Sequence, residues 1–331
     1  MRAWLLDRPA PIAARPLRLT EIPQPEPGPG EIRVRVNANA LCRTDLHVIE
    51  GDLPSHRHPL VPGHQIAGTV DALGAGASRF RAGDRVGVPW LRWTCGACRF
   101  CAAGRENLCE HARFTGWDAD GGYAEYVVAP EAFVYPLPDG FADEQAAPLL
   151  CAGIIGYRAL ALAGVRSGAH LGFLEFGSSA HVTIQVARAR GVAVYVLARS
   201  EDDRRLATQL GATWTGTMID RPPVALDAVI IFAPAGELVP AALSVVERGG
   251  VVVCAGIHMS AIPTFDYALL YGERRLLSVA NNTRADGEAF LHEAAAIPVR
   301  TRVTTFPPED AQEALVRLKH QGFEGAGVIV R

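Results

Sequence analysis

From about Gly153 onward the chain alternates apolar strand-like runs with amphipathic helical patterns, and this alternation constrains the fold more than any other feature. The spacing predicts strands at 170–176, 192–198, 226–233 and 250–255, with helices at 178–190, 201–210 and 236–247 between them. Such a succession buries both faces of its strands only as a doubly wound parallel sheet, an α/β architecture. From Met1 to about Pro148 the texture is different. Proline and glycine separate short alternating runs such as "EIRVRVNA", "IAGTVDAL", "DRVGVPW" and "YAEYVVAP", which points to a β-rich, barrel-like domain. After about Val279 mixed character returns, with a helix expected near 308–320 and a last strand in "AGVIVR". With 331 residues there is room for two domains, placed at 1–152 with 280–331 and at 153–279.

The stretch "HLGFLEFGSSAHVTIQVARARG" reads as strand, tight turn and helix, where a dinucleotide fingerprint G-x-G-x-x-G/A belongs. On that template the three positions hold Glu175, Gly177 and Ala180. The second and third tasks, close approach of pyrophosphate and close helix packing, are kept; only the tight turn is disturbed. Ser178 and Ser179 open the helix, whose N-terminal amides draw an anion. A glutamate makes the turn at small cost if its φ is negative, whereas a positive φ is unfavourable. Its carboxylate also repels pyrophosphate, by roughly 3 kcal/mol at about 6 Å and an effective dielectric of about 20. Weakened but retained dinucleotide binding is the expectation.

Seven cysteines stand at 42, 95, 98, 101, 109, 151 and 254. Without an export signal at the N-terminus, clustered cysteines indicate metal or catalysis rather than disulfides. Cys95, Cys98, Cys101 and Cys109 follow the spacing C-x2-C-x2-C-x7-C in "WTCGACRFCAAGRENLCEH". Four thiolates close a tetrahedral shell around zinc with no open position, which makes such a site structural. Cys254, mid-strand in "GGVVVCAGIH", reads as buried packing.

The ordered motifs "CRTDLH", "PGHQIAGTV", "GDRVGV", the four-cysteine lobe, "GGYAEY", "CAGIIGYRAL" and the strand-turn-helix span nearly the whole chain. In them the sequence resembles the zinc-dependent alcohol dehydrogenases of the medium-chain dehydrogenase/reductase family. The resemblance implies a GroES-like β-rich catalytic domain that carries two zinc ions, and a Rossmann domain for the dinucleotide. It implies that Cys42, His64 and Cys151 bind the catalytic zinc, a Cys2His set with one open position, and that Asp45 orients His64. Gln65 stands where the family commonly has glutamate, a change read as tuning the site, and Ile155 stands where threonine is frequent.

The chemistry so implied is reversible hydride transfer between NAD(P) and small to medium primary alcohols or aldehydes. Zinc lowers the pKa of a bound hydroxyl; Thr44 then accepts the proton by hydrogen bonding and His47 hands it on. The alternatives for these two are a turn-capping threonine and a solvated histidine. Trp90 and Leu53 match pocket positions, with core packing as the other reading of Trp90. At the end of the second strand Ala198 replaces the usual ribose-binding acid and is followed by Arg199 and Ser200. A guanidinium there tilts the expectation toward NADP(H) over NAD(H), unless Arg199 is only a solvated strand-end charge. Ala255, Gly256 and Ile257, after the fourth strand, fall where similar enzymes orient nicotinamide.

The balance of 32 basic and 35 acidic residues has no long run of one sign, which argues against nucleic acid and an anionic membrane as partners. No apolar run reaches the length of a membrane span, so the expected location is cytoplasmic. A homodimer or homotetramer is implied by resemblance alone. Two rival functions are a non-catalytic zinc-binding relative whose dinucleotide site is impaired by Glu175, and a reductase of a specialised conjugated or natural-product carbonyl.

Overall fold

The computed structural model describes residues 1–297 and 299–331. They form two compact units, one of Met1–Cys151, Asn282–Ala295 and Thr301–Arg331, the other of Ala152–Asn281 and Ala296–Arg300.

The first unit begins with an antiparallel ribbon of β1 (Arg2–Leu6) and β2 (Leu17–Glu21). Next comes β3 (Glu31–Ala40), whose alternating sequence turns Ile32, Val34 and Val36 to one buried face, as a strand period of two demands. Helix α1 (Arg43–Glu50) follows at once. Strands β4 (Ile66–Leu73), β5 (Arg85–Val88), β6 (Leu91–Trp93), β7 (Arg113–Phe114), β8 (Tyr126–Pro130) and β9 (Tyr135–Pro136) complete the β-rich part. Short helices α2 (Arg99–Ala102) and α3 (Asp143–Ala146) lie among the connections. Strand β3 is the hub, pairing antiparallel with both β4 and β8. Its buried face packs with Ile66, Val70, Val86 and Val127 into one apolar core.

The second unit runs α4 (Ala152–Ala163), β10 (His170–Leu174), α5 (Ser178–Ala189), β11 (Ala193–Leu197), α6 (Glu201–Gln209), β12 (Trp214–Gly216), β13 (Leu226–Ile231), α7 (Leu238–Val245), β14 (Val246–Cys254) and β15 (Arg275–Ser278). All six strands are parallel, in the order β12-β11-β10-β13-β14-β15. The order reverses between β10 and β13, the switch point at which open sheets of this kind accept ligands. Helices α4 and α5 approach closely because Gly156 has no side chain: a Cβ there would stand 1.8 Å from Thr183 Oγ1.

The chain then returns through α8 (Arg284–Ala296), β16 (Val303–Phe306), α9 (Ala311–His320) and β17 (Ala326–Val330). Strand β17 lies antiparallel on β3, nearly three hundred residues away in sequence, and carries β16 at the edge of the first unit's seven-stranded sheet.

The four expected strands and three expected helices of the second unit are present, with ends shifted by a few residues. The largest shift is at the strand expected over 250–255, which already begins at Val246, so the helix expected over 236–247 stops at Val245. The helix expected at 308–320 begins as a 3-10 turn over Pro308–Asp310 and becomes α-helical at Ala311. Strands β12 and β15 and helix α8 were not anticipated. Three and four residues are too few to show a period in the two strands, and α8 carries Gly287 and a run of alanines in place of a clear apolar stripe. No single helix among the described residues is long and apolar enough to cross a membrane.

One core residue couples the second unit to pH. His181 in α5 is wholly buried, and burial pushes its imidazole down from the ordinary value near 6.5 to about 4. Above pH 6.5 neither state binds the proton; between 6.5 and 4 the unfolded chain takes it up and the folded chain does not. His181 therefore removes stability as pH falls through that window, up to roughly 3 kcal/mol. Denaturant unfolding at pH 7 and pH 5 should show a smaller loss of stability on acidification in His181→Gln than in the native chain.

Candidate functional site

Three elements of the first unit converge on one donor cluster. Cys42 lies just past β3 and caps α1; His64 lies just before β4; Cys151 follows the 3-10 turn Ala147–Leu150. The donor atoms of Cys42, His64 and Cys151 all lie within 4.8 Å of one another. His64 Nδ1 is 2.7 Å from Asp45 Oδ1, which fixes the ring with Nε2 toward the thiols. That Nε2 is buried and has no hydrogen-bond partner, the mark of a nitrogen placed for a metal rather than for a protein donor. Asp45 also accepts from the Cys42 backbone N–H at 2.9 Å and from Tyr123 Oη at 2.8 Å. The electrostatics favour a thiolate at Cys42. A hydrogen bond from Cys151 holds the Cys42 thiol well below the ordinary range despite burial, and the same bond raises Cys151. Burial opposes a proton on His64, but the charge of Asp45 and its hydrogen bond outweigh it and push the imidazole to about 10 before a cation takes that place. Two thiols and an aimed imidazole fit a zinc ion with a position to spare.

Thr44 is buried, its Oγ1 3.5 Å from Cys42 Sγ. It does not cap the helix, a task that falls to Cys42. Nor is His47 simply solvated: its Nδ1 is 2.8 Å from Asp52 Oδ2, a partner the sequence reading missed. Gln65 is buried and donates from Nε2 to Ala40 O at 3.3 Å. Trp90 meets the edge of His64 with ring centroids 4.8 Å apart, and stacks on Phe114 at 5.0 Å and Trp117 at 5.8 Å. Leu53 packs against the same cluster. Phe114 and Trp117 were also missed, because only the pairing of β6 with β7 and the turn after it bring them to Trp90.

The other four cysteines form a second cluster. Sγ separations are 3.5 Å for Cys95–Cys109, 3.6 Å for Cys98–Cys101 and 3.9 Å for Cys95–Cys101. A tetrahedron of sulfurs about 2.3 Å from zinc has edges of roughly 3.8 Å, so the spacing fits the ion and is far too long for disulfides. The backbone N–H of Cys95 donates to Cys109 Sγ and that of Cys98 to Cys95 Sγ, which supports thiolates. Within the same lobe Glu106 accepts from Arg284 through its backbone N–H, Nε and Nη2.

In the second unit β10 ends at Leu174 and Gly177 caps α5 with extended backbone. Ser178 Oγ is buried without a hydrogen-bond partner at this helix start, whereas Ser179 offers its carbonyl to Thr183. Ala180 is fully buried. Glu175 has φ of 66°, the unfavourable case for a residue other than glycine. Its Oε1 accepts from Arg199 Nε at 2.5 Å, so Arg199 is not a free strand-end charge. Ala198 is buried, and Ser200 caps α6 by accepting from Asp203 N–H at 3.3 Å. Gly256 and Ile257 follow β14, Ile257 exposed and Cys254 buried at the strand end.

Comparison with known proteins identifies the family. Residues 28–139 match the alcohol dehydrogenase GroES-like domain and residues 180–296 the zinc-binding dehydrogenase domain. The probable alcohol dehydrogenase AdhA of Mycobacterium tuberculosis is 48% identical over all of this chain and 97% of its own. An alcohol dehydrogenase of Geobacillus stearothermophilus is 32% identical over 95% of this chain and 96% of its own. Among solved structures, a cobalt- and zinc-bound thermostable alcohol dehydrogenase from Pyrobaculum aerophilum superposes with a TM-score of 0.92 at 26% identity, covering 100% of this chain and 99% of that one. A cinnamyl alcohol dehydrogenase from Sorghum bicolor gives 0.90 at 27%, covering 99% and 97%. The chain belongs to the zinc-dependent alcohol dehydrogenases of the medium-chain dehydrogenase/reductase family. It is thus an oxidoreductase, with a GroES-like and a Rossmann-type domain.

Because Asp45 holds His64, Cys42 and Tyr123 at once, Asp45→Asn should weaken zinc in the Cys42–His64–Cys151 set by roughly 10–100-fold. Competition with a chromophoric chelator measures it, and an unchanged affinity would remove Asp45 from the site.

Proposed function

We propose that the chain interconverts primary alcohols and aldehydes with a nicotinamide dinucleotide, using a zinc ion held by Cys42, His64 and Cys151. The observation that carries this reading is the buried, unpartnered His64 Nε2 aimed at two thiols. When bound, zinc lowers the pKa of the alcohol hydroxyl and polarises the aldehyde carbonyl, and the nicotinamide accepts or returns the hydride. The chain's own residues do the rest. Asp45 keeps His64 in the tautomer that offers Nε2. Thr44, beside Cys42 Sγ, is placed to take the hydroxyl proton by hydrogen bonding, and His47, its ring held by Asp52, to pass it on.

The wall formed by Trp90, Phe114 and Trp117 supports an apolar slot and favours substrates with a flat, conjugated group. This gives the specialised-carbonyl reading a specific footing: aromatic or conjugated aldehydes should outperform short aliphatic ones. The non-catalytic alternative has no support from the site, since both metal clusters and the Thr44–His47 pair are intact.

A second zinc ion, held by Cys95, Cys98, Cys101 and Cys109, completes the proposed inventory. The dinucleotide binds the second unit at the start of α5, with Gly177 admitting the pyrophosphate and the Ser178 hydroxyl among its donors. Gly256 and Ile257, after β14, are the proposed nicotinamide contacts. The sequence tilts cofactor choice toward NADP(H) through Arg199, but the Glu175 carboxylate engages that guanidinium, which shifts our reading toward NAD(H). Clustered cysteines at metal-ligand spacing suit a cytoplasmic location. A homodimer or homotetramer remains the proposed assembly, with the open edge of β15 and the exposed Tyr267 and Tyr271 near it available for a second copy.

Metal analysis of the purified chain should give two zinc ions, and Cys101→Ala should give one while lowering the melting temperature. One zinc in the native chain would overturn the assignment of the second site. In a panel of aldehydes with NADH and NADPH, aromatic substrates should show the higher kcat/KM, and His47→Gln should reduce kcat by roughly 10–100-fold with the metal content unchanged. No turnover of any alcohol or aldehyde by the zinc-loaded chain would sink the reading.

A further inference from the structure

Strands β10 and β11 lie parallel with Leu174 opposite Leu197, and the Glu175 N–H donates to Leu197 O at 2.8 Å. The next residues, Glu175 and Ala198, therefore occupy neighbouring positions at the C-terminal ends of adjacent strands. In a dinucleotide fold the end of the second strand carries a carboxylate that accepts hydrogen bonds from the adenosine ribose hydroxyls. Ala198 has none to give. One strand over, Glu175 does, and its side chain is only 15% exposed although that of its partner Arg199 is 78% exposed. The carboxylate is thus drawn in at the strand ends and held there by Arg199 Nε. The other nearby guanidinium, Arg204, is committed to backbone, donating from Nη1 to Ala198 O at 2.6 Å and Arg199 O at 2.9 Å.

We propose that Glu175 supplies, from the first strand, the ribose-binding carboxylate that the second strand lacks, and that the Glu175–Arg199 pair selects NAD(H) against NADP(H). The inference rests on the dinucleotide-binding reading of the second unit. Two consequences of the pairing produce the selection. The positive charge that would attract a 2′-phosphate is already matched by Glu175. A 2′-phosphate placed at Arg199 also stands close to the largely buried Glu175 carboxylate, at a range well inside the Debye length, where salt does not remove the repulsion. A ribose hydroxyl meets neither obstacle and donates to the same carboxylate.

The test is a fluorescence titration of the full zinc-loaded chain with NADH and NADPH, for the native protein, Glu175→Gln, Glu175→Gly and Glu175→Gln combined with Arg199→Ala. The native chain should bind NADH at least about tenfold more tightly than NADPH, because a site without this pair has no charge opposing the phosphate. Glu175→Gln should lose most of that ratio, with NADPH gaining as Arg199 is released and NADH weakening several-fold. Adding Arg199→Ala should cancel the NADPH gain. Glu175→Gly, which suits the left-handed backbone, serves if the amide variant does not fold by circular dichroism, and should move the ratio in the same direction. Equal affinities in the native chain, a native preference for NADPH, or parallel shifts of both cofactors in the variants would overturn the proposal. Failure of either cofactor to bind any folded variant is a different result: it would overturn dinucleotide binding by the second unit itself.

Discussion

One buried carboxylate organises the metal-binding face of the first unit. Asp45 receives the Cys42 backbone N–H, the Tyr123 hydroxyl and His64 Nδ1, and these three groups come from the start of α1, the loop before β8 and the loop before β4. A carboxylate nearly removed from water is costly unless its acceptor positions are filled. Filling them fixes the helix start that presents Cys42 and the imidazole that presents Nε2. The donor geometry is thus a consequence of satisfying Asp45, and a cation bound at the cluster would balance the Cys42 thiolate and the Asp45 carboxylate.

The four-cysteine lobe solves a different problem. Residues 94–112 contain only short helical turns and little apolar core, so the lobe has few contacts with which to hold its shape. A metal ion held by the four cysteines would replace the missing core at one end. At the other, Glu106 is gripped by Arg284 from α8, and although burial works to raise its pKa, the hydrogen bonds and charge of Arg284 outweigh this and keep it lowered. Arg284 also stacks over Phe133, so the contact that fastens the lobe is part electrostatic and part apolar.

What the sequence disclosed follows from the range over which each signal acts. The four-cysteine spacing is local, and a local motif is legible without a fold. Strand–helix alternation in the second unit is likewise local, and the parallel sheet follows from it. Cys42, His64 and Cys151 are separated by up to 109 positions (151 − 42). Only resemblance joined them, since nothing in the pattern around each shows that β3, β4 and the turn before α4 meet. Phe114 and Trp117 stayed hidden for the same reason: aromatics at the end of a two-residue strand and in the turn after it acquire meaning only when tertiary contacts set them beside Trp90. Asp52 is only five residues from His47, but it lies past the end of α1, where the left-handed turn at Gly51 brings its carboxylate back to the ring. The Glu175–Arg199 pair needed the strand register as well, since its members are 24 positions apart.

The energetics of that pair bear on why a glutamate stands at a turn suited to glycine. Left-handed backbone costs a residue with a Cβ roughly 1–2 kcal/mol. An ion pair whose cation is largely in solvent returns about 0.2–1 kcal/mol at best. The pair does not offset the strain, so stability of the free protein gives no account of Glu175. Glycine at 175 would fold at least as well. Strain held at the C-terminal end of a strand, beside the switch point of an open sheet, is instead consistent with a carboxylate whose benefit appears when a ligand is bound, as a hydrogen bond to a hydroxyl in a partly enclosed site. The same carboxylate that a sequence reading counts as a penalty against pyrophosphate is matched by Arg199, and under the proposed role in ribose binding its charge would select rather than repel.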